Sequence, residues 1–397
     1  MKQGLLFISY DGMLEPLGQS QVVSYLGLLV EDRNIHLISF EKKEDLSNSI
    51  FRKKITKEIS ASGINWHPLR YHKYPSALAT AWDIACGIIL GIFLILRYRL
   101  TVVHARSYVP SVVAFVLKRT TGVKYIFDMR GFWADERVDG GLWKSGGLMY
   151  KIAKYFEKQF LLDADYVVTL THKAKQEINN FKYLNGLSKK ITVIPTCADL
   201  DLFAPNPRKK DEDFFTLGYV GSAGTWYSFD MVVACFSNLL QIKPNAHLLI
   251  INRGQHTYIK AELCKVGIPD SSYEIIAAYH DDVPVQMARM DAGIFFYRPS
   301  YSRLACAPTK LAEFLGCGIP CITNFGVGDM DFVLQKERVG IVLKKFDTTT
   351  MSNGLAELLQ LVSNPDTHNN CVATAHKYFS LDEGVSKYRN IYEELAK

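Results

Sequence analysis

The chain lacks CxxC pairs, an HExxH or similar histidine cluster, and a GxGxxG turn after its first strand-like run. Each absence removes a class of chemistry. Eight scattered cysteines read as buried free thiols in a reducing compartment, without a disulfide framework. The ten histidines suggest no zinc site. Without the glycine fingerprint a nicotinamide oxidoreductase is a weak reading. Charged residues are only 22% and hydrophobic ones 48%, the balance of a soluble globular protein. No low-complexity tract or solenoid-like repeat is present. Residues 1–10 lack the apolar core and cleavage site of a signal peptide. The apolar run Ile84 to Leu96 is shorter than the roughly 20 residues of a spanning helix. With Trp82 before it and Arg97 and Arg99 after it, it reads as a buried or an interfacial helix. The buried form is the expectation, with its basic end near a membrane.

At 397 residues the chain exceeds one ordinary core, so two domains are expected. Apolar strand runs alternate with amphipathic stretches in both halves, which implies parallel sheets covered on both faces. Residues 204–213, rich in proline and charge, make the best boundary. The expected domains are 1–204 and 205–380, both α/β and doubly wound, with a cleft between the C-terminal strand edges.

Charge is uneven. Residues 1–200 hold 27 Lys and Arg against 18 Asp and Glu, whereas residues 201–397 hold 19 against 22. A basic first half suits nucleic acid or an anionic membrane surface, or is simply a solvated face. Aromatic RNA-binding signatures are absent, which argues against nucleic acid.

The stretch from Cys306 to Cys321 is the most informative. Pro308 fits a helix start and Gly318 a helix end. The helix N-terminus favours an anion. Lys310 adds a full charge in the first turn, and Glu313 a carboxylate suited to a ribose diol. These features fit a nucleotide diphosphate, although many helices with such ends are only structural.

Several motifs carry a resemblance over nearly the whole chain: Ser9-Tyr10-Asp11-Gly12-Met13 with Pro16 to Gln21, Asp128-Met129-Arg130-Gly131, Val193 to Asp199 with Phe203, Gly218 to Tyr227, and the 306–321 stretch. Together they resemble the GT-B-fold retaining glycosyltransferases of family 4, of the kind found in bacterial capsular and surface polysaccharide synthesis. The resemblance implies two Rossmann-like domains facing a central cleft, with a C-terminal helix, 381–397, packing back onto the first. It implies transfer of a sugar, of hexosyl type, from a nucleotide-diphosphate donor to a glycan or polyprenyl-linked acceptor. The expected location is cytoplasmic, peripheral at the inner face of the cell membrane.

By this resemblance the donor is expected to meet Gly18, Gln19, Ser222, Gly224, Thr225, Asn252, Arg253, Pro308, Thr309, Lys310 and Glu313. Glu313 matches the second glutamate of the family's paired motif, while Ala305 stands where the first would be. The loop from Gly221 to Tyr227 lacks the cations that often grip the diphosphate. Lys310 is the best replacement, followed by Arg253 and Arg303. Arg106, Arg130, Asp135 and Glu136 are expected to bind the acceptor, with Asp128, Arg130 and Lys310 as catalytic residues. For Asp135 and Glu136, structural ion pairs remain an equal reading. A histidine base is not expected, because Arg130 falls near its usual place. No cofactor or metal is expected: Asp163-Ala-Asp165 and Asp329-Met-Asp331 read as chance matches to a metal motif. A sugar-nucleotide epimerase and a non-catalytic glycan-assembly subunit are the alternatives.

Overall fold

A computed structural model describes residues 2–187, 189–206 and 214–396. The chain divides into two compact units, Met1–Pro195 with Leu381–Lys397, and Thr196–Ser380.

The first unit is built on seven parallel strands: β1 (Gln3–Ser9), β2 (Arg33–Glu41), β3 (Asn65–Arg70), β4 (Val102–Arg106), β5 (Lys124–Asp128), β6 (Tyr166–Thr169) and β7 (Ile191–Val193). Their order is β3-β2-β1-β4-β5-β6-β7. Runs such as Leu5-Leu6-Phe7-Ile8 are buried throughout, as strands covered on both faces must be. The order reverses between β1 and β4, and the loops leaving these strands open at the same edge. Ser9, Arg106 and Asp128 are register partners across β1, β4 and β5, so the chain positions that follow them are neighbours.

The second unit repeats the plan with six parallel strands: β8 (Thr216–Val220), β9 (His247–Ile251), β10 (Tyr273–Ile276), β11 (Ala292–Ile294), β12 (Cys321–Asn324) and β13 (Gly340–Leu343). The order is β10-β9-β8-β11-β12-β13, with the reversal between β8 and β11.

Strand β3 has no counterpart in the sequence reading. Its residues, Asn-Trp-His-Pro-Leu-Arg, are polar and include Pro68. It pairs only with β2, at the sheet edge, where a missing N–H is tolerated.

The division between units falls after Pro195, earlier than the expected boundary at 204. The cause is packing: Ala198, Leu200 and Phe203 are buried in the second unit's core. A Cβ on Gly316 would lie 2.5 Å from the Phe203 carbonyl oxygen, so only glycine lets that segment lie so close. Of the proline- and lysine-rich stretch, residues 207–213 lie outside the described residues.

The run expected as a short buried helix is longer and only partly covered. Helix α1 (Ser76–Tyr98) spans 23 residues, because Ala77 to Asp83 join the apolar run. Asp83 could join because its carboxylate is hydrogen-bonded locally: it accepts from the Tyr10 hydroxyl (2.9 Å) and the His72 amide (3.1 Å) and lies 2.6 Å from His72 Nδ1. Helices α2 (Tyr108–Thr121) and α3 (Leu148–Asp163) follow on the same layer, α1 against α2 and α2 against α3.

Three histidines in the first unit are held neutral. Burial pulls His36 down to about 4, helped by its neighbour His67, whose Nε2 lies 3.0 Å from His36 Nδ1. Burial also lowers His67 and, despite the adjacent Asp128 carboxylate, His104. A histidine whose folded value is depressed stabilises the fold fully above its unfolded value of about 6.5 and loses that stability as pH falls toward the folded value. Denaturant titration of the first unit's transition in the whole chain should therefore show a loss of about 2 kcal/mol between pH 7 and pH 5 from His36 alone. His36→Phe should flatten the slope; an unchanged slope would remove His36 from this account.

Candidate functional site

At the β1–β4–β5 edge of the first unit the chain gathers charge out of water. Arg106 ends β4, is buried, and donates through Nη1 to Asp11 (2.7 Å) in the loop after β1. Asp128 ends β5 and is 2% exposed. One of its oxygens accepts from the Tyr388 hydroxyl at 2.9 Å and lies 3.4 Å from His104 Nε2; the other has no hydrogen-bond donor among the described residues. Burial would raise the Asp128 carboxyl, but Arg130, His104 and Arg106 outweigh it and hold the group below its ordinary value. The aspartate is therefore ionised, between two arginines, with one lone-pair face open. Arg130 sits at φ 56°, a left-handed conformation that costs energy in a non-glycine residue. Two further helices bear on the sites: α4 (Thr309–Gly316) in the second unit and α5 (Leu381–Ala396) in the first. Tyr388 and Tyr392 of α5 close this cluster, the latter through a 2.6 Å contact of its hydroxyl with His104 Nδ1.

Other expected residues of the first unit are used by the fold. Asp135 accepts from Tyr150 (2.8 Å) and Lys154 (3.1 Å), beside the buried Glu157, and so braces α3. This favours the structural reading of Asp135 over acceptor binding. Glu136 stands in the first turn of the following short helix, where the helix dipole favours it. Gly18 owes its identity to packing: a Cβ there would lie 2.1 Å from the Gly12 carbonyl oxygen. Gln19, next to it, is half-buried. The loop is pinned by Glu41, fully buried at the end of β2, which accepts from the amides of Met13 (2.8 Å) and Leu14 (3.1 Å).

In the second unit the loop after β8, the loop after β9 and the start of α4 converge. Lys310 is 8% exposed, and its amine donates to no protein atom among the described residues. It lies over the Tyr227 ring at 3.8 Å and near the rings of Tyr219 (5.0 Å) and Phe295 (5.6 Å). A Cβ on Gly221 would sit 3.4 Å from Lys310 Nζ, so the amine reaches the cation-free loop itself. Burial pulls Lys310 down to about 7, the Glu313 charge opposing it, and burial pushes Glu313 up to about 7, Lys310 opposing it. Arg303, also buried, stacks over Trp226 (5.1 Å) and Tyr297 (5.7 Å). The structure thus brings Lys310, Arg303 and the Gly221–Tyr227 loop together on an aromatic floor. Ala305 is buried in the turn that carries Arg303.

Asn252 holds this site without an atom to spare. Its amide donates to the Gly221 carbonyl (2.9 Å) and Gln255 Oε1 (3.3 Å), and its oxygen accepts from the Gly254 and Gln255 amides. These bonds position the loop. Ser222 donates to the same Gln255 oxygen (2.9 Å), Gly224 packs on Gln255, and Thr225 is held at φ 57°. Arg253 is exposed over the Tyr279 ring at 4.7 Å. Pro308 caps α4 and Thr309 is its first residue.

Glu41, His104 and Gln255 carry no sequence signal of their own. Each is one polar residue at or beside a strand end, and only the packed fold gives it partners. No group of three or more His, Cys, Asp or Glu side chains among the described residues could hold a metal ion. Asp163 and Asp165 are paired with Arg119, Lys118 and Lys124.

Two doubly wound parallel-sheet units of this kind define the GT-B fold class. Sucrose-phosphate synthase from Thermosynechococcus elongatus shares the fold at TM-score 0.75, with 14% identity and 99% of each chain covered. Anabaena HepE, solved in complex with UDP, shares it at TM-score 0.70, with 13% identity over 99% of this chain and 100% of that one. Residues 27–202 match the model of Glycosyltransferase Family 4, and the fold of the chain is that of the GT-B proteins. The gpi3 subunit of phosphatidylinositol N-acetylglucosaminyltransferase from Schizosaccharomyces pombe is 21% identical over 76% of this chain. The chain spans 63% of that relative's length.

The Lys310–Glu313 pair sets a pH dependence for any anion at this loop. As pH rises through about 7, Lys310 loses its positive charge and Glu313 gains a negative one, so both changes weaken anion binding. Affinity for inorganic pyrophosphate as the probe anion should fall by about tenfold from pH 6 to pH 8, with proton uptake on binding, as two such charges at close range predict. Calorimetry in buffers of different ionisation enthalpy reads the uptake. Affinity that rises with pH would exclude this arrangement.

Proposed function

We propose that the protein transfers a sugar from a nucleoside diphosphate donor to a lipid-linked or surface-glycan acceptor, with retention at the anomeric carbon and without a metal. The observation that carries this reading is Lys310, a buried amine with no protein hydrogen-bond acceptor among the described residues, beside the Gly221–Tyr227 loop. Such a group is costly unless a ligand supplies the missing anion. A diphosphate does so. The Gly221–Tyr227 loop then offers N–H and O–H donors, and Glu313 a ribose acceptor. The complex of HepE with UDP supports a uridine diphosphate donor as the first to try.

In the first unit, ionised Asp128 accepts a hydrogen bond from the acceptor hydroxyl, and Arg106 and Arg130 hold the acceptor's oxygens. Ala305 stands where the resemblance expects a glutamate on the donor sugar. The transfer we read is a front-face displacement, which needs no protein nucleophile. The acceptor oxygen forms its bond to the anomeric carbon as the bond to the diphosphate oxygen breaks. The acceptor proton passes to the departing diphosphate, whose charge Lys310 stabilises. The same alanine favours the second reading, a subunit that binds a sugar nucleotide without turning it over.

A thermal-shift screen against UDP, GDP, ADP, CMP and dTDP tests the site. One nucleotide at 100 times its dissociation constant should add about 2.7 kcal/mol of stability. Lys310→Met should leave the unliganded protein as stable or more so, since it removes an unpaired buried amine, and should abolish most of the shift. Release of free nucleotide from the sugar nucleotide, with an acceptor extract present, separates transferase from non-catalytic subunit. No shift with any nucleotide in the folded protein would reject the donor site.

A further inference from the structure

Helix α1 is the one helix among the described residues that is long and apolar enough to cross a membrane by length and composition. Its packing says how it is used. Along one face Ala79, Asp83, Leu94 and Ile95 are buried in the first unit. Gly87 and Gly91 lie on the same face, where added Cβ atoms would come within 3.2 Å of Val113 and 2.7 Å of Leu117 on α2. Two glycines a turn apart let α1 and α2 close up over their length. Pulling α1 out to span a bilayer would break this interface and strip the Asp83 carboxylate of its three partners.

The opposite face is bare. Leu78, Trp82, Ile89, Phe93 and Leu96 are 57–72% exposed, and their spacing follows the helical period, so they form one stripe along the whole helix. Two helices over in the same layer, α3 exposes Leu148, Met149, Ile152 and Tyr155. Charge around these stripes has one sign. Arg97, Arg99, Lys151 and Lys158 are exposed, with no ion pair among the described residues. The acids of the three helices are Asp83 and Glu157, both buried, and Asp163, paired with Arg119.

We propose that this layer, α1 with α3, is a docking face for an anionic lipid bilayer, with α1 lying in the plane of the interface and its Leu78–Leu96 stripe among the acyl chains. Apolar side chains on one face with unpaired cations beside them are what an interfacial helix needs. A purely apolar partner surface would leave those cations unmatched, whereas anionic headgroups match them. Trp82 and Tyr155, amphipathic rings within the stripes, suit the headgroup level. The inference concerns a surface apart from the strand-edge sites and stands whether or not sugar transfer does.

Flotation of the full chain with vesicles tests it. Wild type should float with phosphatidylcholine vesicles containing about a third phosphatidylglycerol, and weakly with phosphatidylcholine alone. Binding should fall as salt rises from about 0.05 to about 0.5 M. Ile89→Glu/Phe93→Glu changes only exposed positions, so melting curves should match wild type while vesicle binding falls by about tenfold or more. The fluorescence blue shift on vesicle binding should be largely lost in Trp82→Phe. Equal binding by the double variant, or no binding of wild type to the anionic vesicles at low salt, would overturn the proposal. So would a wild-type dimer that becomes monomeric in the double variant with no vesicle binding by either, which would make a second copy the occupant. Wild type retained by vesicles after alkaline carbonate extraction would overturn the in-plane placement.

Discussion

A strand can run parallel to its predecessor only after the chain has crossed back over the sheet, and this constraint governs the whole molecule. Every strand of each unit then ends at the same edge, and every loop that leaves a strand end meets its neighbours there. In the first unit the shared register of Ser9, Arg106 and Asp128 puts residues far apart in sequence side by side. In the second, the same rule sets Gly221 beside Asn252, bonded through the amide of that asparagine. Both candidate sites lie at these edges, where the loops leaving the strands collect.

What happens to buried charge separates architecture from function. Glu41 is fully buried, yet two amides and the Ser39 hydroxyl satisfy it, and its effect is to hold a loop in place. Asp135 and Asn252 are likewise fully engaged. Lys310 differs: its amine has no hydrogen-bond acceptor among the described residues, and the aromatic rings beside it stabilise a cation but do not replace one. Asp128 lies between these cases, with one oxygen held by Tyr388 and one open. The open valences are the ones a ligand can fill.

Much of the fold was legible in the sequence. All six strands of the second unit were expected near their observed places, because apolar runs of four to five residues between turn signals have few other uses. Helices Leu148–Asp163 and Thr309–Gly316 were read with the bounds they have. Strand β3 escaped because an edge strand needs little apolar pattern. Helix α1 was read short because Asp83 interrupts its apolar run, and only tertiary partners make that aspartate acceptable inside it. The boundary between units was read late because proline and charge mark where a chain is exposed, whereas membership of a core depends on what Phe203 touches.

The sequence by itself determined the strand–helix alternation, the pairing of a basic half with an acidic one, and the presence of a lysine and a glutamate in one short helix. These follow from local periodicity and composition, which each segment carries alone. The tertiary structure decided that Lys310 reaches under the Gly221 loop into an aromatic cage, that Tyr388 from the C-terminal segment closes over Asp128, and that one face of α1 stays uncovered. These are meetings between segments distant in the chain, and they exist only once packing has chosen which surfaces touch and which remain open.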